Sequence, residues 1–79
     1  MGIVKLLIRM RSIQYIFGKR VRQLRVRKGW TQEQLADRTG RHWTYIGGIE
    51  RGERNVTLRV VSDIARALDV DIHTLFQSE

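Results

Sequence analysis

Cysteine and proline are both absent from this chain, and acidic residues are scarce. Without cysteine there can be no disulfide framework and no cysteine-based metal site. The absence of proline suits an all-helical fold, because proline interrupts helices. No segment offers the roughly 20 mostly apolar residues that a membrane-spanning helix needs. The N-terminal run also lacks the small-residue cleavage site of a signal peptide, so we expect a cytoplasmic protein.

What the chain has in excess is positive charge. Fifteen Lys and Arg residues against eight Asp and Glu residues give a net charge of +7 at pH 7. The simplest partner for such a surface is a polyanion, and nucleic acid is the first candidate, although many small proteins are basic without binding it. A chain of 79 residues makes one domain with a small core, and oligomerisation would add to its stability.

The most informative stretch covers residues 31–52, TQEQLADRTGRHWTYIGGIERG. Thr31 and Gln34 have the spacing of a capping box, which predicts that a helix begins directly after Thr31. Gly40 stands where that helix must stop, because glycine tolerates the left-handed conformation. A second helix is predicted over residues 42–51. Two short helices joined by a tight turn are typical of a helix-turn-helix, which places its second helix in the major groove of DNA.

This stretch resembles the helix-turn-helix of the Cro and phage-repressor (XRE) family of bacterial DNA-binding proteins. The matching residues are Thr31-Gln32-Glu33-Gln34-Leu35-Ala36, Gly40, Tyr45-Ile46 and Ile49-Glu50-Arg51-Gly52. The longer run TYIGGIERGERNVTL, over residues 44–58, is similar to the controller proteins of restriction–modification systems, which are small dimeric members of that family. The resemblance extends from about Phe17 to Phe76. It implies an all-α, five-helix, phage-repressor-like DNA-binding domain, which we assign to residues 13–79.

The remaining pattern predicts three further helices around one core. Ser12 can cap a helix over residues 13–28, Thr57 one over residues 58–68, and Asp71 a short one over residues 72–76. The residues assigned to the core are Phe17, Val21, Leu24, Trp30, Leu35, Ala36, Ile46, Ile49, Leu58, Val61, Ile64, Ala65 and Leu68.

Residues 1–12 form an N-terminal arm outside the resemblance. Val4, Leu6, Ile8 and Met10 alternate with other residues as in a strand, whereas Ile3, Leu6, Leu7 and Met10 form a helical stripe. The sequence leaves open an arm packed on its own domain, a partly disordered tail, and an exposed strand that pairs with another subunit.

The resemblance implies which residues contact DNA. Base-reading residues are expected at the start of the second motif helix and one turn later: His42, Trp43, Thr44, Gly47 and Gly48. Contacts to the DNA backbone are expected from Gln32, Tyr45, Arg54 and Asn55. Trp43 departs from the family, in which an Arg commonly contacts guanine, so thymine-methyl packing or a sugar-phosphate contact is expected there instead. Two mid-helix glycines cost about 1 kcal/mol each relative to alanine, which favours a close approach by DNA or by another helix.

Two further predictions concern structural contacts. The resemblance implies a partly buried, structural salt bridge between Arg25 and Glu50. The last two helices carry more apolar residues than a small core needs, so we expect a dimer surface from Val70, Ile72, Leu75 and Phe76.

The function that these features indicate is a sequence-specific transcriptional regulator that binds double-stranded DNA at a palindromic operator as a homodimer. The resemblance implies control of a restriction–modification system. The alternatives are an antitoxin-type repressor, which would need a toxin partner, and a protein-interaction module that docks through its basic apolar N-terminus. The two histidines, His42 and His73, come with no third-ligand pattern and no nucleophile constellation, so we expect no enzyme, metal, cofactor or small-molecule ligand.

Overall fold

The computed structural model describes residues 12–77, and this part of the chain is all helical. The four α-helices are α1 (Ile13–Arg27), α2 (Gln32–Thr39), α3 (Trp43–Glu50) and α4 (Leu58–Leu68). A short 3-10 helix, Ile72–Phe76, follows α4. The all-α class is confirmed, but the count of five is slightly off, because the short fifth helix predicted over residues 72–76 is a 3-10 helix. The arm predictions for residues 1–11 lie outside the described residues.

Side-chain caps define the helix starts. Ser12 Oγ accepts a hydrogen bond from the Tyr15 backbone N–H at 3.1 Å. Thr31 Oγ1 accepts from the Gln34 N–H at 3.1 Å, and Gln34 Oε1 accepts from the Thr31 N–H at 2.7 Å, which is the predicted capping box. Asp71 stands at the start of the 3-10 helix but makes no side-chain cap hydrogen bond, so that predicted cap is wrong. The 3-10 helix is therefore defined by packing rather than by a cap.

The turn between α2 and α3 is held by a glycine and an arginine. Gly40 ends α2 with φ at 67°, in the left-handed region where only glycine is unstrained. Arg41 Nη1 then donates to the Thr39 carbonyl at 2.7 Å and to Asp63 Oδ2 at 2.9 Å. Because Asp63 belongs to α4, this ion pair ties the turn of the helix-turn-helix to the following helix.

One apolar core joins all these elements. Its residues are Phe17, Val21, Leu35, Ala36, Ile46, Ile49, Val60, Val61, Ile64, Ala65, Leu68 and Leu75. The prediction that Leu58 belongs to it is wrong, since this first residue of α4 is 87% exposed. Leu58 has the right periodicity, but it lies beyond the elements that pack against the rest of α4. Val60, which the sequence analysis did not assign to the core, is only 6% exposed.

Helices α1 and α3 cross closely at Gly18. A Cβ atom placed on Gly18 would lie 1.9 Å from the carbonyl oxygen of Ile49 and 2.9 Å from its carbonyl carbon. These are backbone atoms, which cannot rotate away as a side chain can. The glycine therefore fixes how closely α3 rests on the domain, and with it the position of the helix that carries most of the candidate base-reading residues.

Candidate nucleic-acid interface

The N-terminal end of α3 projects from the domain. His42 is the N-cap of the helix, and His42, Trp43 and Thr44 are all exposed. Trp43 keeps 48% of its surface open, which is high for a large aromatic residue in a small folded domain. The structure thus brings the three consecutive base-reading candidates together at one accessible helix end.

The His42 side chain contacts those of both Trp43 and Thr44. His42 Nδ1 lies 3.2 Å from the Thr44 backbone nitrogen, whose N–H it accepts, and 2.8 Å from Thr44 Oγ1. The Trp43 ring stacks beside the His42 imidazole, with ring centroids 5.9 Å apart and an angle of 29° between the planes. The cap therefore orders side chains on the exposed end of the helix as well as its backbone.

Gly47 and Gly48 are buried, and side chains of the same chain cover them. A Cβ on Gly47 would lie 3.1 Å from Arg51 Nη1 and 3.3 Å from Gln32 Oε1. A Cβ on Gly48 would lie 3.2 Å from both Cγ and Nε of Arg54. The close approach expected at this glycine pair is made here by neighbouring side chains, and base reading by Gly47 and Gly48 stays a prediction.

The sequence analysis missed Arg51 at this surface. Its guanidinium group lies over Gly47, close to the Gln32 side chain. Arg51 Nε also pairs with Glu53 Oε2 at 3.1 Å, with both side chains mostly exposed. The sequence did carry a signal for this contact, which is the pair Gly47-Gly48. Because these residues have no side chains, they leave space on α3 into which Arg51, four residues after Gly47, can fold back.

Arg54, in the loop after α3, lies against Tyr45 of α3. The Arg54 guanidinium carbon lies 5.1 Å from the centroid of the Tyr45 ring, which is cation–π geometry. Arg54 is exposed although it runs across Gly48, and Asn55 next to it is also exposed. The structure thus places three of the four predicted DNA-backbone residues on or beside this face, and their contact with phosphate stays a prediction.

Gln32, the fourth of these residues, is already engaged. Its Nε2 donates to Glu50 Oε1 at 3.1 Å, and its side chain is partly buried at the start of α2. Holding the amide in this way fixes its position beside Gly47 and the Arg51 guanidinium. A contact between Gln32 and phosphate would therefore be made from a preorganised side chain.

The predicted salt bridge between Arg25 and Glu50 is present and buried. Arg25 Nε donates to Glu50 Oε2 at 2.7 Å and Nη2 to Oε1 at 3.0 Å, with the side chains 10% and 2% exposed. Arg25 Nη1 donates to the Trp30 carbonyl at 2.6 Å. The hydrogen bond to Glu50 raises the pKa of Arg25, burial opposes that shift, and the charge of Glu50 adds to it. The pair ties α1 to the C-terminal end of α3.

Trp30 lies in the loop between α1 and α2. It is partly buried against the core, as predicted, and its ring faces two cations. The Arg38 guanidinium carbon is 4.0 Å from the ring centroid, and the Lys28 ammonium nitrogen is 5.3 Å from it. Both cations remain exposed, so this corner of the domain adds to the positive surface.

The C-terminal apolar surface differs from its prediction at one residue. Leu75 is fully buried in the core of its own chain, so its assignment to a dimer surface is wrong. Ile72 is 50% exposed, and Phe76 is 36% exposed while its ring stacks on Phe17 at 5.3 Å between centroids. Val70 is partly buried against the core. The surface that a second copy could cover therefore consists of Val70, Ile72 and Phe76.

No helix in residues 12–77 is both long enough and apolar enough to cross a membrane. Over the same range, no three His, Cys, Asp or Glu residues lie together as they would around a metal ion.

Comparison with known proteins agrees with this geometry. A family model for the helix-turn-helix domain matches residues 16–75, which include all four α-helices except the first three residues of α1. The chain is 44% identical over 64 residues to the control protein C.SmaI of Serratia marcescens, covering 81% of this chain and 76% of that protein. It is 47% identical over 60 residues to the control protein C.BamHI of Bacillus amyloliquefaciens, covering 75% and 74%. The chain belongs to the helix-turn-helix family of restriction–modification controller proteins.

Solved structures of controller proteins share the fold. The crystal structure of the restriction–modification controller protein C.AhdI from Aeromonas hydrophila matches with a TM-score of 0.77 at 46% identity, over 80% of this chain and 96% of that one. The controller protein C.Esp1396I, in a structure bound to a 25-base-pair operator site, matches with a TM-score of 0.74 at 33% identity, over 84% and 87%. The family therefore includes a member with this fold that is seen on its operator.

Proposed function

We propose that this protein is a sequence-specific transcriptional regulator that binds a palindromic operator as a homodimer and controls a restriction–modification system. The observation that carries the proposal is the exposed end of α3, where His42, Trp43 and Thr44 stand free of the core. In a helix-turn-helix this end of the second helix enters the major groove. The net charge of +7 supplies the attraction to the phosphates.

One group of residues contacts bases and a second group contacts phosphates. Trp43 and Thr44 meet base edges, where hydrogen bonds and methyl contacts distinguish base pairs. Arg54 and Asn55, beside α3, and Gln32, at the start of α2, face the phosphates, which set register and affinity but carry no sequence information. Regulation then comes from protein concentration and operator occupancy, by binding rather than by catalysis. Because bacterial operators lie in the cytoplasm, that location follows from the proposal.

Thr44→Ala and Arg54→Ala should lower DNA binding in different ways. Losing the Thr44 contact should cost about 1–3 kcal/mol on the preferred site and relax base selection at that position. Losing Arg54 should weaken binding to all sequences alike and reduce the slope of log affinity against log salt by about one. Affinities measured on specific and random duplexes across a salt titration separate the two effects.

Arg59→Ala is the control for charge alone, because Arg59 is an exposed cation of α4 and is not among the residues proposed to contact DNA. It should leave both base selection and the salt slope nearly unchanged. Equal losses on specific and random DNA for Thr44→Ala would remove that residue from the base-reading set. A wild-type protein that binds every sequence equally would contradict sequence-specific regulation altogether.

We propose that Val70, Ile72 and Phe76 form the dimer surface. The two recognition helices of such a dimer must lie about 34–36 Å apart, one turn of DNA. Ile72→Lys should weaken self-association at least tenfold without unfolding the chain, because the side chain is already half exposed. Val26→Lys, a β-branched residue of α1 with 54% exposure, is the matched control. Sedimentation of both variants tests this, and a wild-type monomer at micromolar concentration, with and without DNA, would contradict it.

Residues 1–12 are proposed as an arm apart from the domain at 13–79.

The two alternatives from the sequence receive no support from the comparisons, whose curated relatives named above are control proteins. An antitoxin-type repressor would bind a toxin as well as DNA. A protein-interaction module would leave the exposed end of α3 without a role.

A further inference from the structure

The hydrogen bonds at the start of α3 determine which atoms its base-reading end can present. The Thr44 backbone N–H points at His42 Nδ1 over 3.2 Å. A backbone N–H can only donate, so Nδ1 accepts with its lone pair and carries no proton. The neutral imidazole must then hold its proton on Nε2. The cap therefore selects one of the two tautomers of His42.

The same nitrogen also determines the role of the Thr44 hydroxyl. Thr44 Oγ1 lies 2.8 Å from His42 Nδ1, which is a hydrogen-bonding distance. Since Nδ1 has no proton to give, the hydroxyl must be the donor. A hydroxyl has one proton and two lone pairs, so Thr44 is left with acceptor capacity only.

We propose that His42 sets the base preference of Thr44 by holding its hydroxyl as an acceptor, while the His42 Nε2–H serves as a donor beside it. The proposal rests on the DNA-binding function proposed above and specifies its chemistry. In the major groove an acceptor selects an exocyclic amino group, which is adenine N6 or cytosine N4. A donor selects guanine N7 or O6, adenine N7 or thymine O4. Thr44 therefore pairs with adenine or cytosine, and His42 is its positioning residue.

A second contact holds the imidazole in place. The Trp43 ring stacks against it at 5.9 Å between centroids. His42 is thus held by the backbone of α3 through Nδ1 and by a ring on one side, although it is an exposed residue. A side chain oriented in this way before binding loses little freedom when it meets a base, which favours selectivity.

The tautomer is testable without DNA. Nitrogen NMR of the full-length protein, in a buffer where the imidazole is neutral, distinguishes a protonated Nε2 from a protonated Nδ1. The expected spectrum has the proton of His42 on Nε2. A proton on Nδ1 would overturn the proposal, because the Thr44 hydroxyl could then act as a donor to DNA. His73, an exposed histidine outside any cap, is the internal reference.

The base preference is tested on a duplex selected from a random library by the wild-type protein. At the position that Thr44→Val no longer discriminates, the exocyclic amino group is removed by a base analogue. Wild type should lose roughly tenfold in affinity, whereas Thr44→Val should lose almost nothing. His42→Ala frees the hydroxyl and should shrink the wild-type loss to about twofold or less. His42→Asn should restore the tenfold loss on removal of the amino group, because the Asn amide oxygen is a good N-cap acceptor and can accept from the Thr44 hydroxyl as well.

Ser12→Ala is the matched control, since it removes a helix N-cap of similar geometry from α1. It should lower stability as His42→Ala does, by loss of the cap, and leave the tenfold discrimination intact. Full discrimination in His42→Ala would overturn the positioning role while the proposed function stands. A wild type with no sequence preference would instead contradict the proposed function, and the NMR result would still decide the tautomer.

Discussion

Replacing Gly18 with alanine should destabilise the domain more than any other single added methyl group. The new Cβ would lie 1.9 Å from the carbonyl oxygen of Ile49, so α1 and α3 would have to move apart. Overpacking typically costs about 1–3 kcal/mol where side chains can give way, and here the obstacle is backbone. A domain of this size has little more than about 5 kcal/mol of stability, so we expect Gly18→Ala to be largely unfolded at 37 °C. Circular dichroism during thermal and urea unfolding measures the loss.

Gly40→Ala is the control for this prediction. A Cβ on Gly40 meets no atom within 4 Å, but its φ of 67° is unfavourable for alanine. Its cost should be only that of the left-handed conformation, about 1–2 kcal/mol. The comparison separates steric exclusion at a helix crossing from strain in a turn. A Gly18→Ala protein as stable as Gly40→Ala would show that α1 and α3 can separate freely, contrary to the close crossing.

Breaking the buried ion pair should have the second largest effect. Among the described residues, Arg25→Ala leaves the Glu50 carboxylate, 2% exposed, with only the Gln32 amide as a hydrogen-bond partner. Removing one member of a buried pair costs about 3–5 kcal/mol, because the remaining charge stays buried without its counterion. Glu50→Ala should cost a similar amount, since the one remaining hydrogen bond of the Arg25 guanidinium within residues 12–77 is to the Trp30 carbonyl. Equilibrium urea unfolding of both variants measures these costs.

Two controls test whether the loss of stability comes from a buried charge without its counterion. The double variant Arg25→Met with Glu50→Leu should recover much of the loss, because apolar residues of similar size need no counterion. Arg51→Ala, which breaks the exposed pair with Glu53, should change stability by less than about 1 kcal/mol. If Arg25→Ala and Arg51→Ala lose the same amount of stability, burial of the Arg25–Glu50 pair does not increase its contribution to folding.

Local features of the sequence determined the helices and their limits. Ser12, Thr31 and Thr57 each cap the helix that was assigned to them. Such caps involve residues three positions apart, so they form whatever the rest of the chain does. The all-α class, most of the core and the position of the helix-turn-helix follow from the same short-range patterns. The Arg25–Glu50 pair is different, since only the family resemblance implied it.

Tertiary structure decided everything that depends on which elements meet. Leu58 and Leu75 have equally apolar side chains at the ends of their helices, yet one is 87% exposed and the other is fully buried. Periodicity shows which face of a helix is apolar, but not where the neighbouring elements stop. The contact that Gln32 makes over Gly47 from a different helix is likewise invisible in the order of residues.

The base-reading end of α3 combines both kinds of information. The sequence by itself determined that His42, Trp43 and Thr44 stand at the start of the second helix of the motif. The family resemblance added that an arginine is missing from its usual place. Only the folded geometry shows that His42 Nδ1 accepts from Thr44, since the distances between these atoms depend on side-chain rotation. The physical reason is that residue types define which hydrogen bonds are available, whereas three-dimensional packing decides which of them form.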